Sequence, residues 1–116
     1  MRMTALALSI AVVAGATAGR AATSPHNDYP TMARADYVFA CMKVNGDTRE
    51  ALEKCSCSID VIASLLPYDA YVSGETVAAI EQGPGRIGAE FRDTVMARDQ
   101  LAALRRAQAE AEVRCF

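Results

Sequence analysis

Four cysteines, spaced C-x13-C-x-C-x57-C at Cys41, Cys55, Cys57 and Cys115, constrain this chain more than any other feature. In an oxidising compartment an even cysteine count reads as a disulfide framework. Inside a reducing cytosol the same residues would read as metal or redox ligands. The N-terminus decides between the two. Met1-Arg2-Met3 is a short positive start, and Thr4 to Ala18 is apolar or small throughout. Ala16-Thr17-Ala18 and Gly19-Arg20-Ala21 both satisfy the small-x-small cleavage rule, and no acidic residue precedes Asp28. That layout predicts a secretory signal peptide over residues 1–21, because the apolar run is too short and too rich in Ala and Gly for a membrane anchor. No Cys adjoins the cleavage site, so lipid attachment there is not expected.

Residues 22–116 hold ten Lys/Arg against fourteen Asp/Glu, a net charge near −4. No block of like basic charge occurs, which removes the electrostatic footprint of a nucleic-acid binder. Thirty apolar or Cys side chains larger than Ala remain in this stretch. They suffice for one modest core and not for a deep ligand cavity as well. A domain this small is only marginally stable without staples, which the cysteines can supply.

Residues 22–30 are polar and carry Pro25 and Pro30, so a flexible lead is expected before a single helical domain over 31–116. Met32, Ala35, Phe39 and Met42 share one helical face, and Asn45-Gly46 ends that first helix. Asp47-Thr48-Arg49-Glu50 reads as a variant capping box in which the Asp47 carboxylate caps and Glu50 reaches back. A second helix, about 48–66, follows with a core stripe of Leu52, Cys55, Ile59, Ile62 and Leu66. A second stripe of Cys57, Val61, Ser64 and Leu65 makes it the central helix. Pro67 opens a third helix running to Gln82, weakened by Gly74. Gly83-Pro84-Gly85 breaks the chain, and beyond it Leu101, Leu104, Gln108, Ala111 and Cys115 share a face. No stretch alternates with period two for long enough to make a strand. The expected fold is all-α, a bundle of three to four helices stapled by two disulfides.

Helical geometry narrows the pairing. Cys55 and Cys57, two residues apart on one helix, point about 200° away from each other and cannot bond. An antiparallel turn at Gly46 places Cys41 opposite roughly residue 52, nearer to Cys55 than to Cys57 by about 3 Å along the axis. Cys41–Cys55 with Cys57–Cys115 is therefore preferred, and Cys41–Cys57 with Cys55–Cys115 stays open.

Catalytic constellations lack parts. His26, the only imidazole, lies in the lead, so no Ser-His-Asp or Cys-His set can be assembled. Cys-x-x-Cys-His is absent, which excludes covalent haem. Gly83-Pro84-Gly85-Arg86 lacks the Lys-Ser/Thr of a phosphate loop, and Asn45-Gly46-Asp47 carries too few ligands for a calcium loop. A non-catalytic accessory or binding protein is expected, without a cofactor or metal, and its partner would be another exported protein. The alternative is a thiol-redox or copper-handling protein using Cys55 and Cys57, with Met32, Met42 and Met96 as soft neighbours. Tyr68 and Tyr71 are candidate partner contacts, since Tyr is enriched at interfaces, or else rings packed at a helix start. On the last helix, Arg106 and Glu110 form a weak i,i+4 pair.

The run Cys55-Ser56-Cys57-Ser58-Ile59-Asp60-Val61-Ile62, then Tyr68-Asp69-Ala70-Tyr71-Val72, then residues 105–115 ending in Cys115, resembles small exported helical proteins of proteobacteria without an assigned activity. Some of these accompany periplasmic quinoprotein alcohol (methanol) dehydrogenase and c-type cytochrome systems. The resemblance covers about residues 30–116. It implies a periplasmic setting in methanol utilisation, and it brings no catalytic residue.

Overall fold

The computed structural model describes residues 27–116, so the expected signal peptide and residues 22–26 of the lead lie outside the described part. Five helices and no strand make up that part: α1 (Thr31–Asn45), α2 (Arg49–Leu65), α3 (Tyr68–Gln82), α4 (Arg86–Arg92) and α5 (Val95–Cys115). The all-α expectation holds, with five helices in place of three or four. The extra boundary falls at Thr94, whose hydroxyl accepts from the Ala97 N–H at 3.2 Å and starts α5. Thr48 does the same for α2, accepting from Ala51 N–H at 3.1 Å. The expected cap at Asp47 is thus corrected to its neighbour. Glu50, expected to reach back to the cap, pairs forward with Lys54 at 2.8 Å. The Arg106–Glu110 pair gives way to Glu110–Arg114 at 2.7 Å, a change of partner on an exposed face that costs little.

The punctuation residues act as their chemistry dictates. Gly46 adopts φ +107°, a conformation that L side chains avoid, and turns the chain back after α1. Pro67 cannot continue α2, so Leu66 is extended and α3 begins one residue later.

Helix α2 packs against α1 and α5, while α5 also packs against α3 and α4, so α2 shares the middle of the bundle with α5. Its expected second stripe is buried only in part, because Ser64 and Leu65 are exposed. The core joins Ile59, Ile62 and Leu66 of α2 to Leu104, Ala107 and Ala111 of α5. Val77 of α3 and Ala97 of α5 are likewise buried. Leu52, expected in the core stripe, is 38% exposed instead. Cys41–Cys55 and Cys57–Cys115 are both formed, with Cα atoms 5.8 Å apart in each. The preferred pairing is the one observed.

Residues 27–30 of the expected lead pack against the helical body. Tyr29 is buried and donates its hydroxyl proton to the Leu66 carbonyl at 2.9 Å. Asp28 accepts from the Tyr68 N–H at 3.0 Å, which caps α3 from 40 residues upstream. Two backbone groups at the α2–α3 corner thus find partners in the residues before α1. Tyr29→Phe should cost about 1–2 kcal/mol, because it strands the Leu66 carbonyl out of water. Chemical denaturation checks this. A loss below a few tenths of a kcal/mol would mean that water replaces the hydroxyl.

Candidate functional site

Helix α1 is the least embedded part of the domain. It has no buried residue, and α2 is the helix it chiefly packs against. Three attachments hold it: Tyr29 at its entrance, a 2.8 Å hydrogen bond between the Tyr37 and Ser58 hydroxyls, and the Cys41–Cys55 disulfide. Tyr37, Val38 and Cys41 face α2. The remainder of α1 overhangs the body and makes a concavity on each side.

On one side lies a shallow apolar groove of about 490 Å³ between α1 and α2. Ala35, Val38, Phe39 and Met42 form one wall and Ile59 the floor. The stripe read from the sequence is therefore an exposed face, not a core face: Met32 is 78% exposed and Phe39 62%. Two charges of opposite sign line this groove, Arg34 and Asp60. The Arg34 Nε is out of water and has no hydrogen-bond partner among the described residues.

On the other side, a cleft of about 570 Å³ separates α1 from α3. Asp36 of α1 faces Glu75 of α3 across it, with Tyr68, Tyr71 and Val72 along the α3 wall. A neighbouring hollow of about 370 Å³ continues the cleft past Tyr37 to Glu112 and Phe116. Among the described residues, three carboxylates line the combined surface, and no Lys or Arg does. Burial against its neighbours raises the Glu75 pKa above the ordinary 4.5. Burial raises the Tyr71 hydroxyl too, followed by the negative potential of Glu75.

The Glu75 shift has a sign that can be tested. A carboxyl whose pKa is raised on folding favours the native state at low pH, and that contribution disappears as pH rises through the folded value. Glu75→Gln should therefore slightly stabilise the protein at neutral pH and give no gain below about pH 4, near the unfolded value. Melting curves of the two proteins against pH show it. An equal gain at all pH values would assign the effect to packing.

Tyr68 and Tyr71, the candidate partner contacts, stack at 6.3 Å with an 18° interplanar angle, and Tyr29 meets each ring at 5.1 Å. The rings pack at the helix start and also present half-buried surface to the cleft. Asp36 and Glu75, the acidic groups opposite and beside them, were not legible as a pair in the sequence. They lie 39 positions apart and share no motif. All four cysteine sulfurs are in disulfides, and Cys55 is wholly buried, so the two thiols of the copper or redox alternative are tied to different helices. Among the described residues, no helix is long and apolar enough to cross a membrane. Two disulfides in a small helical domain fit an oxidising, extracytoplasmic setting. No family model matches the chain, and neither a curated protein nor a solved structure matches it.

Proposed function

We propose that this is an exported, non-catalytic accessory protein that binds a cationic surface of another exported protein through the cleft between α1 and α3. The observation that carries the reading is the cleft's composition. Asp36, Glu75 and Glu112 supply negative charge, Tyr68 and Tyr71 supply rings with polar tips, and no basic side chain is among the described residues that line it, Lys54 lying over the Phe116 ring at its edge. A Lys or Arg side chain suits such a surface twice over. Its head pairs with the carboxylates while its stem or guanidinium plane lies on the rings. The net charge near −4 after signal cleavage adds long-range attraction for a basic partner. The finer setting is the periplasm, in quinoprotein alcohol (methanol) oxidation, as the sequence resemblance implies.

Capture from periplasmic extract at low salt is the test, comparing wild type with Asp36→Lys/Glu75→Lys. A partner retained by wild type, eluted by moderate salt and lost with the double variant supports the proposal. Capture that is indifferent to both changes refutes the cleft as the binding surface.

A further inference from the structure

The turn between α1 and α2 carries a reactive pair of residues that the cleft does not use. Asn45 ends α1 and Gly46 follows it, the one place in the chain where Asn precedes Gly. Asn is among the chemically labile side chains, because the next backbone nitrogen can attack its amide carbon. A side chain on the following residue hinders that approach, and Gly46 has none. Both residues are exposed, and nothing lies within 4 Å of where a Gly46 Cβ would stand. The native turn opposes the attack by other means. The Gly46 N–H donates to the Met42 carbonyl at 2.9 Å, and the Asn45 Nδ2 donates to the Cys41 carbonyl at 3.0 Å. Nucleophile and target amide are each tied to the preceding turn of the helix. Those ties are only as firm as the end of α1. The helix has no buried residue, and the Cys41–Cys55 bridge, one turn before Asn45, is its covalent hold on α2.

We propose that Asn45 is a site of spontaneous deamidation, gated by opening of the α1 end and restrained by the Cys41–Cys55 bridge. When the last turn of α1 opens, hydroxide removes the Gly46 amide proton and the nitrogen bonds to Asn45 Cγ. The Cγ–Nδ2 bond breaks, and ammonia leaves with a proton from water, which restores the hydroxide. A five-membered succinimide remains. Water then opens that ring at either carbonyl, giving an aspartate or an isoaspartate at position 45, and no oxidant or reductant takes part. Both products place a carboxylate at the negative end of the α1 dipole and lose the donor to the Cys41 carbonyl. The isoaspartate also adds a methylene to the main chain inside the turn that sets the α1–α2 register. Modified protein should therefore fray further at the end of α1. The reaction is set by the turn alone, so it holds whatever the cleft binds.

The test is to hold the oxidised mature protein in warm, mildly alkaline buffer and follow the Asn45 peptide by mass and by isoaspartate content. Asn27, which precedes Asp28 and not Gly, is the internal comparison and should stay intact over the same period. Native protein should lose the Asn45 amide at least about tenfold more slowly than the same protein reduced and unfolded, a factor that an opening cost of about 1.4 kcal/mol already supplies. Cys41→Ser/Cys55→Ser, which keeps the Cys57–Cys115 bridge, should react several-fold faster than wild type. Urea below the main unfolding transition should also accelerate wild type, which decides the gate even where the double variant does not fold. An amide that survives in the unfolded protein overturns the site. Native protein that reacts as fast as unfolded protein overturns the gate, as does a rate that follows global unfolding alone. A folded double variant that reacts no faster than wild type overturns the part given to the bridge.

Discussion

Cys115→Ser should lower the stability of the oxidised protein by about 2–5 kcal/mol, although the residue stands next to last in the chain. Chain ends normally fray and tolerate change. Here the bond to Cys57 closes a separation of 58 residues and fastens the end of α5 to α2. The loop-closure estimate for such a length is about 4 kcal/mol, acting mainly on the unfolded chain. The native side has its own stake. Ala111 is 1% exposed, one turn before Cys115, so fraying of α5 would open the core and not only the surface. For a domain of this size, that loss corresponds to a fall in melting temperature of about 10 °C or more. Cys57 is half-buried, and once freed it should react with alkylating reagents and form intermolecular disulfides. A melt within a degree or two of wild type would show that the C-terminal staple is not structural.

Removal of the shorter bridge predicts a different pattern. Cys41→Ser frees α1, whose remaining ties are one hydroxyl pair and the Tyr29 anchor, and leaves the α2–α5–α3 body its own core. The loss should be local, with α1 amides exchanging faster while those of α2 and α5 keep their protection.

What the sequence revealed was whatever is encoded by neighbours along the chain. Asn45-Gly46, Pro67 and Gly83-Pro84-Gly85 each stop a helix by local chemistry, and three helix boundaries follow from them. The cysteine pairing was legible for the same reason. One turn at Gly46 fixes the antiparallel register, and helical angles then separate Cys55 from Cys57. The boundary at Thr94 escaped because a hydroxyl cap interrupts a helix without any Gly or Pro. The anchoring of Asn27 to Pro30 escaped because its partners, Leu66 and Tyr68, are about 40 residues away. The stripe of Met32, Ala35, Phe39 and Met42 shows a limit of another kind. Periodicity identifies a face, but it does not say whether another helix arrives to cover it.

Gly74 is where propensity and packing give opposite answers, and packing should win. Read along the helix, Gly74 is a weakness in α3, and Ala there should gain about 1 kcal/mol. In the fold, Gly74 is buried where α3 crosses α5, and an added Cβ would lie 2.7 Å from Leu104 Cβ and 3.2 Å from the Gln100 carbonyl oxygen. Neither neighbour is the free end of a flexible chain. Leu104 is among the most buried residues of the core, and the Gln100 oxygen belongs to the α5 backbone. Relief therefore requires the two helices to move apart, which loosens Val77 and Ala97 along the same crossing. Gly74→Ala should destabilise by about 1–3 kcal/mol net, the usual cost of overpacking, and Gly74→Val by more. Trimming the neighbour offers no rescue, since Leu104→Ala keeps the Cβ that makes the closest contact while adding a cavity of its own. Equilibrium denaturation of Gly74→Ala, Leu104→Ala and the double variant provides the check. The double variant should be at least as unstable as Leu104→Ala alone. A Gly74→Ala protein more stable than wild type would mean that α3 and α5 cross further apart than 2.7 Å allows, with helix propensity deciding the sign after all.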